Sequence, residues 1–216
     1  DINDDIIMEG TEEVLMTITS VQNPVYSAMA GDSPVSLDIL DNDNTEVNNT
    51  ITLSKVRDGI EGGTNPQFLV SFPAGLTASV PTEVTYSIAG TAVNGVDFTP
   101  LTGKVIILSN QNSAIIDVSL INDQIIEAIE NVQLSLTGAT NTISTLKVIS
   151  TTVSASITDD DNIAINKIIT LSKTKDAAEP GTDAEFRVSF PGGITSSADT
   201  RVFYSVNGGT AQSGVD

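Results

Sequence analysis

Ile51-Thr52-Leu53-Ser54-Lys55 returns 118 positions later as Ile169-Thr170-Leu171-Ser172-Lys173. At the same offset Phe68-Leu69-Val70-Ser71-Phe72-Pro73 returns as Phe186-Arg187-Val188-Ser189-Phe190-Pro191, and Asp41-Asn42-Asp43-Asn44 as Asp159-Asp160-Asp161-Asn162. Gly90-Thr91-Ala92 and Gly95-Val96-Asp97 match Gly209-Thr210-Ala211 and Gly214-Val215-Asp216 at an offset of 119, as Ile2-Asn3-Asp4 matches Ile121-Asn122-Asp123. Self-similarity at a fixed period means a chain built from repeated units. Residues 1–44 therefore read as the C-terminal part of a first module, 45–162 as a complete module and 163–216 as the N-terminal part of a third.

Within the complete module the apolar residues recur with period 2. Val84, Tyr86 and Ile88 alternate, as do Ala114, Ile116, Val118 and Leu120, then Val132, Leu134 and Leu136, then Val153, Ala155 and Ile157. Gly, Pro, Asn, Asp and Ser interrupt the pattern every dozen or so residues, and no stretch holds a 3.6-residue period with caps. Strands are expected over 50–55, 67–72, 82–88, 103–108, 113–121, 131–137 and 151–157. Seven strands in ~118 residues predict an all-β fold of tandem immunoglobulin-like β-sandwich modules, arranged end to end.

Composition narrows the chemistry. The 216 residues include no Cys, His or Trp, and 28 acidic against 9 basic residues give a formal charge of -19. Without thiol or imidazole the usual zinc sites, thiol nucleophiles and general bases are gone, so no enzyme is expected. An acidic surface repels phosphates and anionic headgroups, which argues against nucleic acid and direct membrane insertion. Aromatics are 4% of residues, too few for a carbohydrate-stacking platform. Divalent cations are the natural partners.

If successive strands reverse, the first, third, fifth and seventh run toward one pole. Glu61 follows the first strand, Asp97 the third, Asp123, Glu127 and Glu130 the fifth, and Asp159, Asp160 and Asp161 the seventh. Two carboxylates about 5 Å apart repel by roughly 3 kcal/mol at an effective dielectric of 20. Calcium, which takes 6–8 oxygen ligands in flexible geometry, is the expected counter-ion. Asp and Asn also serve as turn formers at strand ends, which accounts for any one of these residues taken singly. Asp117 falls on the outward register of a strand and reads as solvated charge. Because the seventh strand exits at the acidic pole, neighbouring modules of the same chain are expected to meet there with little free linker.

The order Glu61-Gly62, Gly90-Thr91-Ala92, Gly95-Val96-Asp97-Phe98, Ile121-Asn122-Asp123 with Glu127 and Glu130 downstream, then Asp159-Asp160-Asp161, resembles the Calx-beta domain. That family is a calcium-binding β-sandwich found in sodium-calcium exchangers, an integrin chain and long bacterial surface proteins. The resemblance implies Glu61, Asp97, Asp123, Glu127, Asp159 and Asp161 as calcium ligands, with Glu130 and Asp160 supporting them or serving a second ion. The family often has a run of Asp where Asn122 and Gln124 flank Asp123 here, which implies fewer or weaker ions. The first module keeps Asp4, Asp5, Glu9, Glu12, Asp41 and Asp43, and the third shows Glu179 and Asp216.

Near-verbatim repeats look like the stalk of a large extracellular or cell-surface protein of the adhesin or gliding type. Any adhesion target would then be bound elsewhere in the parent protein. A calcium-sensing regulatory domain of an exchanger-type membrane protein and an accessory module of a secreted hydrolase are the alternatives. Many further copies in the parent sequence would favour the stalk, membrane spans the sensor, and a hydrolase domain the accessory role.

Overall fold

Alternation in the sequence becomes alternation in burial, as the pleat of a strand requires. Phe68 and Val70, Val84 and Tyr86, Val132, Leu134 and Leu136, and Ala155 and Ile157 are buried, with their sequence neighbours turned outward. The structure is a computed structural model and describes residues 2–211. Three short strands precede the complete module: β1 (Ile7–Met8), β2 (Glu12–Met16) and β3 (Val35–Ile39). Within it lie β4 (Thr50–Arg57), β5 (Gly59–Ile60), β6 (Gln67–Ser71), β7 (Thr77–Ala78), β8 (Thr82–Gly90) and β9 (Lys104–Ile107). They are followed by β10 (Ser113–Asp117), β11 (Ile125–Ile126), β12 (Glu130–Thr140), β13 (Lys147–Val148) and β14 (Thr152–Thr158). A 3₁₀ turn at Ile165–Lys167 leads to β15 (Thr170–Lys175), β16 (Glu185–Ser189) and β17 (Thr195–Ser196). Among the described residues there is no α-helix.

Two sheets form a sandwich, one in the order β10-β6-β4-β13 and the other β5-β14-β12-β8-β9. Their inner faces share one core that includes Ile51, Phe68, Val84, Phe98, Val118, Leu134 and Ala155. The seven expected strands are β4, β6, β8, β9, β10, β12 and β14. β10 stops at Asp117 instead of 121 for a local reason. Asp117 pairs with Gln67, so the next partner is Pro66, which accepts from the Val118 N–H at 3.0 Å and has no N–H to return.

β4 bulges between Lys55 and Arg57 and continues as β5 in the opposite sheet, parallel to β14. Gly59 sits at this switch, where a Cβ would lie 2.6 Å from the Pro66 ring. Pairing directions follow the expected reversal: β4 is antiparallel to β6, β6 to β10, β8 to β9 and β12, and β12 to β14. β4, β8, β10 and β14 therefore point one way and β6, β9 and β12 the other.

The chain forms two compact units, cut differently from the sequence repeat. The first comprises Asp1–Asn122 and Ile129–Thr158, and the second Asp123–Ala128 and Asp159–Asp216. In the first unit, besides the sandwich, β2 and β3 form a hairpin and β1 pairs in parallel with β7. In the second, β15 and β16 form a hairpin whose bulge between Lys173 and Lys175 repeats that of β4, and β11 pairs in parallel with β17. The first strand of the third module, expected at Ile169 to Lys173, is this β15.

Candidate metal centre

The acidic segments are held by their own short polar side chains, which bond to nearby backbone more readily than they join a ladder. Asp123 Oδ1 accepts the Ile125 N–H at 2.7 Å. Asp159 accepts twice, from the Asp161 N–H at 2.7 Å and from the Glu127 N–H at 2.6 Å. The Asn162 amide donates to the Glu127 carbonyl. Asn166 Nδ2 donates to the Asp161 carbonyl at 3.0 Å and to its Oδ1 at 2.9 Å.

Asp97 ends a tight turn. Its carboxylate accepts the Val93 N–H at 2.5 Å, and its carbonyl accepts the Ile121 N–H at 2.9 Å. The turn begins at Gly90, whose φ of +126° and close approach to the Asn131 carbonyl exclude a side chain. The Glu61 N–H donates to the Thr158 carbonyl at 2.9 Å, which sets Glu61 beside the end of β14, one residue before Asp159.

Two carboxylate triads result. Glu61 and Asp159, each 8% exposed, group with the exposed Asp160. Asp97, Glu127 and Glu130, all partly buried, form the other, and in each triad one oxygen per residue lies within 4.8 Å of the others. Glu130 and Asp160, expected to support the ligands or to serve a second ion, stand in the triads. Asp123 and Asp161, expected as ligands, stand outside them and hold turns. Burial first, then Asp160 and Asp159, raise the Asp161 carboxyl above its ordinary value; the Asn166 hydrogen bond opposes this and Asp123 adds to it. Asp117, by contrast, is exposed on a strand and accepts from Asn65 and Gln67, each at 2.8 Å.

The first module's end repeats four of these bonds, while Asn44, the counterpart of Asn162, donates to the Ile143 carbonyl instead. Ile7 N–H donates to Asp5 at 2.9 Å, Glu9 N–H to Asp41 at 2.8 Å and Asp43 N–H to Asp41 at 2.8 Å. Asn48 Nδ2 donates to the Asp43 carbonyl at 2.7 Å, the counterpart of Asn166. The match to Asp123 is thus Asp5, at an offset of 118; Asp4 instead accepts from Asn42 at 2.9 Å. Burial, then Glu12, Asp5 and Asp41, raise the Glu9 carboxyl, and burial, then Asp41, Asp4 and Asp5, raise that of Asp43. Glu179 is exposed in the third module and belongs to neither triad, and Asp216 lies outside the described residues. Asn162 and Asn166 were not anticipated, although Asn44 and Asn48 precede them by the repeat distance.

Every donor in the triads is a carboxylate oxygen, the set that suits a hard cation of the calcium type. Residues 56–162, just under half of the chain, match the family model of the Calx-beta domain. Among solved structures, the chain is 18% identical to the calcium binding domain CBD12 of CALX1.1, over 50% of this chain and 44% of that one, with a TM-score of 0.40. It is 19% identical to CBD12 from CALX1.2, over 57% and 49%, with a TM-score of 0.42. It is 18% identical to the apo-form Calx CBD1 domain, over 51% and 98%, with a TM-score of 0.39. The chain thus spans less than half the length of the two CBD12 chains. No curated protein matches it.

Proposed function

We propose that the middle repeat is a calcium-binding Calx-beta module, and that the chain is a non-catalytic segment of an extracellular or cell-surface stalk. The observation that carries the calcium reading is the triad of Glu61, Asp159 and Asp160, two of whose members are 8% exposed. Unit charges 4.8 Å apart repel by about 3.5 kcal/mol at an effective dielectric of 20, a large fraction of a ~5–15 kcal/mol fold margin. A divalent cation reverses that sign. Calcium fits better than magnesium because irregular loops supply oxygens without octahedral order. Glu61, Asp159 and Asp160 would hold one ion, and Asp97, Glu127 and Glu130 another. Asp123, Asp161, Asn162 and Asn166 keep the loops in shape.

The stalk reading is supported by recurrence of fine detail, down to the strand bulge and the Asp-capped turns. A calcium-sensing regulatory domain of the exchanger type fits the family match equally well. The parent sequence discriminates: many copies of the 118-residue repeat favour the stalk, and a few divergent domains beside membrane helices favour the sensor.

Calorimetric titration tests the site. Calcium should bind with a dissociation constant of about 0.1–1 mM, the range of extracellular modules. Asp159→Asn should weaken binding at least ~10-fold, because it leaves two carboxylates where three converge, and Asp117→Asn should not change it. No saturable heat, or equal losses in both variants, would refute the assignment.

A further inference from the structure

The segment Asp5–Glu9, whose counterpart is Asp123–Glu127, has two working edges. On one edge the N–H groups of Ile7 and Glu9 donate to Asp5 and Asp41, the carboxylates of its own module. On the other, the Ile6 carbonyl accepts the Thr77 N–H at 3.3 Å and the Met8 carbonyl accepts the Ser79 N–H at 3.0 Å, both from the module that follows. An extended strand turns alternate residues to opposite edges, so one five-residue stretch serves both sides. Its Met8 side chain is fully buried among the next module's core residues, which include Leu76 and Ala78.

The same arrangement recurs 118 residues on, within the second unit. Ile125 and Glu127 donate to Asp123 and Asp159, while Gln124 and Ile126 accept from Thr195 at 3.0 Å and Ser197 at 3.1 Å. The receiving turns also match. Leu76 N–H donates to the Pro73 carbonyl and Ile194 N–H to that of Pro191, with Gly75 at φ +85° and Gly193 at +92°. A Cβ on Gly75 would come 3.5 Å from the Ile6 side chain, and one on Gly193 would come 2.7 Å from that of Gln124. The glycines keep the platform open for the incoming strand.

We infer that the acidic loop is a two-edged connector: it lends a strand and a core side chain to the following module, so each module is completed by its predecessor, and ordering of the carboxylate edge and docking are one event. The partner it fits is another module presenting the Pro-x-Gly turn and the extended Thr-x-Ser that follows it, as in Pro73–Ser79 and Pro191–Ser197. This does not require a cation; that calcium strengthens the docking rests on the reading given above.

The two junctions in one molecule control for each other. Amide hydrogen exchange of the whole chain is followed at Thr77 and Ser79 and at Thr195 and Ser197. Asp41→Ala should speed exchange at Thr77 and Ser79 by roughly tenfold, as expected for loss of a net hydrogen bond to a charged group, and leave Thr195 and Ser197 unchanged. Met8→Ala should speed exchange at Thr77 and Ser79 and, on the other edge, at Ile7 and Glu9. Unchanged exchange at Thr77 and Ser79 in Asp41→Ala, or an equal rise at both junctions, overturns the connector. Calcium should slow exchange at Thr195 and Ser197, which dock on the loop that carries Glu127. If it does not while the substitution pattern holds, the connector stands and the calcium reading falls.

Discussion

Gly90 shows how one residue's lack of a side chain places a carboxylate. The Asn131 carbonyl accepts from both Thr91 and Ala92 at 3.1 Å, which pulls the chain out of β8 and into the Asp97 turn. A Cβ at Gly90 would lie 2.2 Å from that oxygen, at a φ of +126°. Gly90→Ala should therefore cost about 3 kcal/mol in urea unfolding, from strain plus a backbone clash. A loss under ~1 kcal/mol would mean the turn relaxes freely. Titration is the other effect that belongs to single residues. The carboxyls of Asp161, Glu9 and Asp43 sit above their ordinary values, with burial the largest cause and neighbouring carboxylates next. A raised folded-state value means the fold holds the proton more tightly than the unfolded chain does. Ionisation thus destabilises the metal-free protein at neutral pH, and the penalty disappears as pH falls through the raised value toward the ordinary 3.8 of an Asp. Asp161→Asn should therefore stabilise the metal-free protein at neutral pH and lose that advantage as pH falls, checked by urea unfolding at neutral pH and near that ordinary value. A difference that does not change with pH would show that the Asp161 charge costs the fold nothing.

At the scale of the element, strands were legible and short bridges were not. Val132, Leu134 and Leu136 announce β12 because a half-buried strand of several residues must alternate. β1, β7, β11 and β17 are two residues long, too short for a period, and their partners lie about 70 positions away in the chain. Pairing of that kind depends on packing already achieved. The acidic residues were legible as a set, since strand direction sends the loops after β4, β8, β10 and β14 to one end. Which of them converge was not, because that depends on where each turn aims its carboxylate: Asp97 and Asp159 accept backbone N–H groups just as Asp123 does, yet reach a triad. The loop carrying Asp97 is itself anchored by Phe98, fully buried and bridged to Asn94 and Leu120. Phe98→Ala should cost about 3–5 kcal/mol and also weaken calcium binding severalfold. Ile107→Ala, at the far end of β9 where it pairs with Thr82, should cost about 2–5 kcal/mol and leave binding nearly unchanged. Denaturation and titration of the two variants check both halves of the statement. Equal losses of affinity would show that binding reports global stability and not the loop.

For the whole molecule the dominant quantity is charge. With 28 acidic against 9 basic residues, any cation lessens the self-repulsion, so a calcium-induced rise in stability proves nothing by itself. Screening and site binding differ in what they depend on. Screening follows ionic strength, with a Debye length near 10 Å at 0.1 M, and is blind to ion identity at equal strength. Site binding follows RT ln(1 + [L]/Kd) and at ~100-fold excess contributes about 2.7 kcal/mol per site. For a chain of this size that corresponds to a rise in melting temperature of about 5–10 °C. The comparison is about 10 mM calcium chloride against about 30 mM sodium chloride, equal in ionic strength. Calcium should raise melting by several degrees beyond sodium, magnesium should raise it less, and Asp159→Asn should remove most of the excess. Coincident melts in the two salts would reduce the acidic surface to a diffuse polyanion, and the calcium site would have to be given up.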